Sequence, residues 1–180
     1  KLADATVLKH VKSLKMFLKT AYPEKDWSWV RYKMMHAESE IIAMTESELS
    51  KLMNADLKGY LGKARDLFIF MATTGMRHCD SQLFDTSWEM PEQVLEFTQL
   101  KTGGKAYPPL YDVTRTILAR YGGIPPRITN QKLNEFLKIL FKQLNFDRQV
   151  VIQTVRGKQV FRTYKPLYEV ISSHTARRTF

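Results

Sequence analysis

The stretch LGKARDLFIFMATTGMRHCD, residues 61–80, decides how the chain is read. Leu61, Ala64, Leu67, Phe68, Met71 and Ala72 recur at three- and four-residue spacing, which predicts a helix from about Leu61 with a broad apolar face. Gly75 is placed to end it, since glycine enters the left-handed conformation that closes many helices without a steric penalty. Arg77 therefore emerges from a rigid turn behind a buried helix, and a second short helix is expected through Asp80 to Leu83. An arginine held on such a turn is placed for a task; one needed for solubility could sit anywhere.

Upstream, the pattern divides into a helix and a connecting stretch. Val7, Val11, Leu14, Leu18 and Ala21 predict a helix from about Ala5 to Ala21, with Lys9, Lys12, Lys15 and Lys19 on a different face. Those lysines are candidate contacts to a phosphate backbone, or else the solvated side of a core helix. Tyr22 to Met44 lacks periodicity and carries Pro23, Trp27, Trp29 and Tyr32, as expected of an interdomain linker whose aromatics dock on a neighbouring surface. Thr45 followed by Glu48 is a capping box, so a helix is expected from there to about Asn54.

Downstream the period switches to alternation. Val94 to Thr98 reads as a strand, Lys101-Thr102-Gly103-Gly104-Lys105 as a hairpin tip, and Ala106 to Leu110 as a return strand confined to a sheet edge by Pro108 and Pro109. A helix is expected over Asp112 to Tyr121. Another, capped by Thr129 or Asn130, should run to about Leu144 and bury Leu133, Leu137, Leu140 and Leu144. Gln149 to Val155 and Gln159 to Thr163 form a basic hairpin turning at Arg156-Gly157-Lys158, and a short helix from Pro166 follows. In the final Ser172-Ser173-His174-Thr175-Ala176-Arg177-Arg178-Thr179-Phe180, the serines are candidate caps. His174 and Arg177, three residues apart, share a helix face suited to a phosphate.

Composition bounds the partners. The 180 residues allow one substantial core and a smaller appendage, and 28 Lys and Arg against 18 Asp and Glu give a net charge of +10, which favours a polyanion, nucleic acid first. No run of about 18 apolar residues is present and nothing at the start resembles a signal peptide. The single Cys79 excludes an internal disulfide and fits a cytoplasmic setting, and is expected as a buried, inert thiol. The four histidines, at 10, 36, 78 and 174, lack metal-ligand spacing, so no metal or other cofactor is expected.

Taken in order, Thr74-Gly75-Met76-Arg77 with Asp80, the Lys101–Lys105 hairpin and the His174-Thr175-Ala176-Arg177 motif resemble the catalytic domain of tyrosine recombinases, the phage-integrase family of DNA strand-exchange enzymes. The likeness is greatest to integrases of mobile elements in Bacteroides-type bacteria. It implies an α+β, mainly helical fold with a small antiparallel sheet. Residues 1–22 would be the end of a helical core-binding domain, 23–44 a linker, and 45–180 a catalytic domain incomplete at its C-terminal end. The implied activity is site-specific breakage and rejoining of DNA through a 3′-phosphotyrosyl intermediate, by a homotetramer on paired sites in double-stranded DNA.

Within that resemblance Arg77 and Arg177 clamp the nonbridging oxygens. His174 bonds the same phosphate or assists proton transfer, and Lys101 is the general acid, with Lys105 its nearby rival. Asp80 orients Arg77. The attacking tyrosine would lie downstream of Arg177; Tyr164 and Tyr168 precede His174, against the family's order. The expectation is thus a truncated chain or fragment that binds DNA without cleaving it. The alternative is a non-catalytic DNA-binding regulator or excision partner using the same basic surface.

Overall fold

The computed structural model describes residues 2–33, 41–157 and 159–180, and the elements are a mixed α+β set: several helices and three two-stranded sheets. In chain order they are α1 (Asp4–Ala21), α2 (Glu46–Met53), α3 (Gly59–Thr74), α4 (His78–Gln82), a 3-10 turn (Thr86–Trp88), β1 (Glu89–Met90), β2 (Val94–Leu95), β3 (Phe97–Thr98), β4 (Lys105–Ala106), α5 (Asp112–Arg120), α6 (Asn130–Gln143), β5 (Gln149–Arg156), β6 (Gln159–Pro166), α7 (Leu167–Val170) and α8 (Ser173–Thr179). Among the described residues no helix is long and apolar enough to cross a membrane. The chain forms two compact units, Lys1–Glu40 with Val150–Lys165, and Ile41–Gln149 with Pro166–Phe180. The part of the expected linker at 34–40, His36 included, lies outside the described residues, as does Lys158 of the hairpin turn.

The larger unit is built on α3. Twelve of its sixteen residues are buried, so it is enclosed on all sides rather than on the one face the apolar spacing predicts. Helices α2, α5, α6 and α8 pack against it. Leu133, Leu137 and Leu140 of α6 are fully buried, each such side chain contributing about 1.5–3 kcal/mol, while Leu144 at the helix end is half-buried. Phe68 meets Phe141 edge-on at 5.6 Å, and Phe70 meets Phe84 likewise at 5.4 Å. Enclosure forces charges inward as well. Asp66 (2% exposed) accepts hydrogen bonds from Arg65 Nε at 2.8 Å, Arg120 Nη1 at 2.6 Å and the Tyr121 hydroxyl at 2.8 Å. Arg65 also donates to the Ala55 carbonyl. Burial and the neighbouring carboxylate push the Tyr121 phenol up to about 12.

The capping box at Thr45 forms as expected, with Glu48 N donating to Thr45 Oγ1 at 3.2 Å and Thr45 N to Glu48 Oε2 at 2.8 Å. Arg148 then ties this helix start to the end of α6, its Nε donating to Glu48 Oε1 at 2.7 Å and its Nη2 to the Ala43 carbonyl at 2.8 Å. Gly75 closes α3 at φ 63°.

The expected strand Val94 to Thr98 is instead two short ones. Glu96 N–H donates to the Trp88 carbonyl at 2.7 Å, in register with the first pairing, and the chain changes partner after it. Val94–Leu95 pairs with Glu89–Met90, and Phe97–Thr98 with Lys105–Ala106, both antiparallel. The return toward Leu110 continues through an isolated bridge of Val94 with Pro109 and a bond from Leu95 N to the Pro108 carbonyl at 2.9 Å. The prolines need only accept there, which is what their missing N–H permits.

In the smaller unit α1 keeps its predicted span but not its predicted burial. Val7, Val11 and Leu18 are half-buried, Leu14 is 52% exposed, and Asp4 is the helix's one buried residue. Among the described residues of this 56-residue unit the regular elements are α1 and the β5–β6 hairpin, which offer little apolar surface to cover that stripe. Asp4 accepts from Gly157 N at 2.7 Å, where the β5–β6 hairpin turns with φ 57°. The Tyr32 hydroxyl is held above its ordinary pKa by burial and by its bond to Asp4. Of the linker aromatics, Tyr32 thus docks on α1 through Asp4, whereas Tyr22, Trp27 and Trp29 cluster with one another. Tyr22 and Trp27 lie 6.3 Å apart, Trp27 and Trp29 6.1 Å, and Trp29 remains 70% exposed.

Candidate functional site

The end of α3 is the scaffold. A helix C-terminus presents carbonyls without partners and the negative end of the helix dipole, so a cation is favoured there. Arg177 fills that role, its Nη1 donating to the Gly75 carbonyl at 2.7 Å. Arg177 reaches it from α8, whose Thr175 and Ala176 are buried. The α8 start is fixed by a feature that sequence reasoning missed: Ser173 N donates to Asn134 Oδ1 at 2.8 Å and Ser173 Oγ to Asn130 Oδ1 at 2.7 Å. The signal was present as two asparagines four apart at the start of α6.

Two residues beyond Gly75, Arg77 precedes α4 and is half-buried, with 24% of its side chain exposed. Its Nη1 donates to Gln99 Oε1 at 2.5 Å and lies 3.9 Å from Asp80 Oδ2, too far for a hydrogen bond. Asp80 is 1% exposed; its Oδ1 accepts from Leu100 N at 3.0 Å, and its Oδ2 has no hydrogen-bond partner. Asp80 thus anchors the β3–β4 turn that carries Lys101 and sets a carboxylate oxygen 3.9 Å from Arg77.

Lys101 stands exposed on that turn. Lys105, its rival, is engaged by Glu96 across the same hairpin at 2.5 Å, which holds its pKa above the ordinary value. An ammonium bound to a carboxylate is held more firmly in its charged form, so Lys105 is tied to Glu96 on the hairpin.

His174 draws these residues together. Partial loss of water lowers its pKa below the ordinary 6.5, and the charges of Arg178, Arg177, Arg77 and Lys101 lower it further, in that order. Charges from residues spread over more than half the sequence therefore act on one imidazole and disfavour its protonation. Such an arrangement can hold a dianion or a developing negative charge. A cleft of about 360 Å³ is lined by Gly75, Phe97, Gln99, Tyr107 and Arg177 and by Phe180, whose ring lies over Gly75.

Other expected residues fall elsewhere. Lys9, Lys12 and Lys19 are exposed along α1 in the smaller unit; Lys15 is half-buried and helps Ser28 hold Asp26 below the usual carboxylate range. Tyr164 is 65% exposed on β6, and the Tyr168 ring lies 6.0 Å from Lys142 Nζ. Cys79 is exposed, correcting the expected buried thiol, because α4 turns Asp80 and Ser81 inward and leaves Cys79 on its outer side. Among the described residues no group of three or more His, Cys, Asp or Glu is placed to share a metal ion. No family model matches the chain, and no curated protein or solved structure matches it.

Proposed function

We propose that the chain is part of a site-specific DNA recombinase of the tyrosine recombinase class, with that class's catalytic-domain fold in its larger unit, and that it acts on double-stranded DNA. What supports the reading is that Arg177 grips the Gly75 carbonyl two residues before Arg77, and that the charges of Arg77, Lys101 and Arg177 all act on His174, four residues from three separate motifs. Arg77 and Arg177 bind the nonbridging oxygens of the scissile phosphate, where charge grows in the transition state. A tyrosine C-terminal to Arg177 attacks phosphorus; the new bond joins its phenolic oxygen to phosphorus as the bond to the 5′ oxygen breaks. Lys101 gives that leaving oxygen its proton, and His174, whose protonation its surroundings disfavour, takes the phenolic proton or hydrogen-bonds the phosphate. The phosphotyrosyl link conserves the energy needed for rejoining, so this chemistry requires neither nucleotide nor metal. Assembly as a homotetramer on paired sites belongs to the same proposal.

Residues 1–180 should bind duplex DNA without forming a covalent adduct, and an adduct on denaturing gels would overturn the assignment of the nucleophile. In a chain that carries the tyrosine, Arg77→Ala and Arg177→Ala should cut strand cleavage by roughly 10²–10³ while changing duplex affinity little. Equal losses of cleavage and affinity would favour a DNA-binding protein without catalysis.

A further inference from the structure

We propose that Gln99 is a positioning residue for Arg77: its side-chain carbonyl holds the guanidinium toward the site and away from a second seat at Asp80 Oδ2. The proposal rests on the phosphate-site reading of Arg77, but its geometry stands apart from that reading. Gln99 Oε1 receives Arg77 Nη1 at 2.5 Å and Thr102 Oγ1 at 3.3 Å. Both partners donate, so the amide must present its oxygen there. The backbone of Gln99 closes the Lys101 turn, with Gln99 N donating to the Gly104 carbonyl at 2.9 Å and Gly103 N to the Gln99 carbonyl at 2.8 Å. One residue thus sets both the direction of Arg77 and the base of the turn that presents Lys101.

The competing seat is real and unfilled. Asp80 Oδ2 is a buried carboxylate oxygen without a donor, and Arg77 Nη1 lies 3.9 Å away. A charge-assisted bond to a carboxylate is stronger than one to a neutral amide, and a buried carboxylate oxygen without a donor is costly. A shift of about 1 Å would bring Arg77 within hydrogen-bond range of Oδ2. Left to itself the guanidinium would close on Asp80 and its charge would be spent internally. The Gln99 carbonyl, anchored by a hairpin backbone that does not depend on the side chain, offsets that pull and keeps the charge available to an anion.

The test uses residues 1–180 and the ring-proton titration of His174 by NMR, since the charges of Arg178, Arg177, Arg77 and Lys101 act on His174. Gln99→Met keeps the length and removes the acceptor. Arg77 then pairs with Asp80, so the His174 pKa should move upward, as it does in Arg77→Ala. Gln99→Met with Asp80→Asn should return it to the wild-type value or below. Inorganic phosphate, followed through the same His174 resonances, should bind Gln99→Met about tenfold more weakly than wild type, as expected when one charge-assisted hydrogen bond to the anion is removed. Gln99→Asn, too short to reach Arg77, should shift His174 in the same direction and stands in if the methionine variant fails to fold. A His174 titration unchanged by both substitutions would overturn the role of Gln99. If phosphate leaves the wild-type resonances unmoved, the phosphate reading fails, and the titration still decides the positioning of Arg77.

Discussion

His174 carries a charge decision that a bound phosphate would reverse. Free, its protonation is disfavoured by lost solvent and by four cations; a phosphate among those cations would screen them and accept a hydrogen bond from the protonated ring. Binding should therefore raise its pKa and take up a proton, and affinity for a phosphodiester should increase as pH falls toward the lowered pKa of the free protein. Fold stability has the opposite sign. The unfolded histidine takes up its proton near 6.5, the folded one only lower, so stability declines as pH falls through that window. Calorimetric binding of a short duplex in two buffers of different ionisation heat should show net proton uptake near pH 6; none would contradict the assignment. At this scale His174, Arg177 and Arg77 were legible because their types and spacing advertise anion chemistry. Gln99 and Asp66 were not, since a lone glutamine before a turn or an aspartate inside an apolar helix gains its meaning only from what tertiary packing brings to it.

The α3 terminus shows the same dependence one level up. Gly75 adopts φ 63°, and a Cβ added there would lie 2.7 Å from Phe180 Cδ1. Gly75→Ala should cost roughly 1–2 kcal/mol for the left-handed backbone, read as a lowered urea midpoint. It should also disturb the carbonyl that Arg177 grips, read as a changed His174 titration. A variant with the wild-type midpoint would mean the turn relaxes freely. The helices and their caps were readable from sequence because Leu133, Leu137 and Leu140, or Thr45 with Glu48, act through neighbours three and four residues away. The strand at 94–98 divided differently because the Glu96 N–H goes to Trp88, a partner fixed by tertiary structure. Two-residue β1 carries no period to detect. The α1 stripe was read correctly as apolar, but burial depends on what else its unit contains, and periodicity does not report that.

Across the whole molecule the positive charge is uneven. The smaller unit holds twelve Lys and Arg against five Asp and Glu, a net +7 in 56 residues, whereas the larger holds sixteen against thirteen, a net +3. The site thus sits in the less basic unit, and most of the long-range attraction for a polyanion arises from α1 and the β5–β6 hairpin. Affinity and chemistry should then be separable. Replacing Lys9, Lys12 and Lys19 by glutamine should weaken duplex binding and flatten its salt dependence, by close to one unit of slope in log K against log salt for each phosphate no longer neutralised. The same substitutions should leave the His174 titration where it was, because none of these lysines contributes to it. Arg77→Ala should do the reverse, moving His174 and leaving the salt slope within about one unit of wild type. Fluorescence anisotropy across a salt series, paired with the NMR titration, measures both quantities on the same variants. If the α1 lysines leave the slope unchanged, they form the solvated face of a helix and the basic surface that meets DNA must be sought on the hairpin or around the site itself.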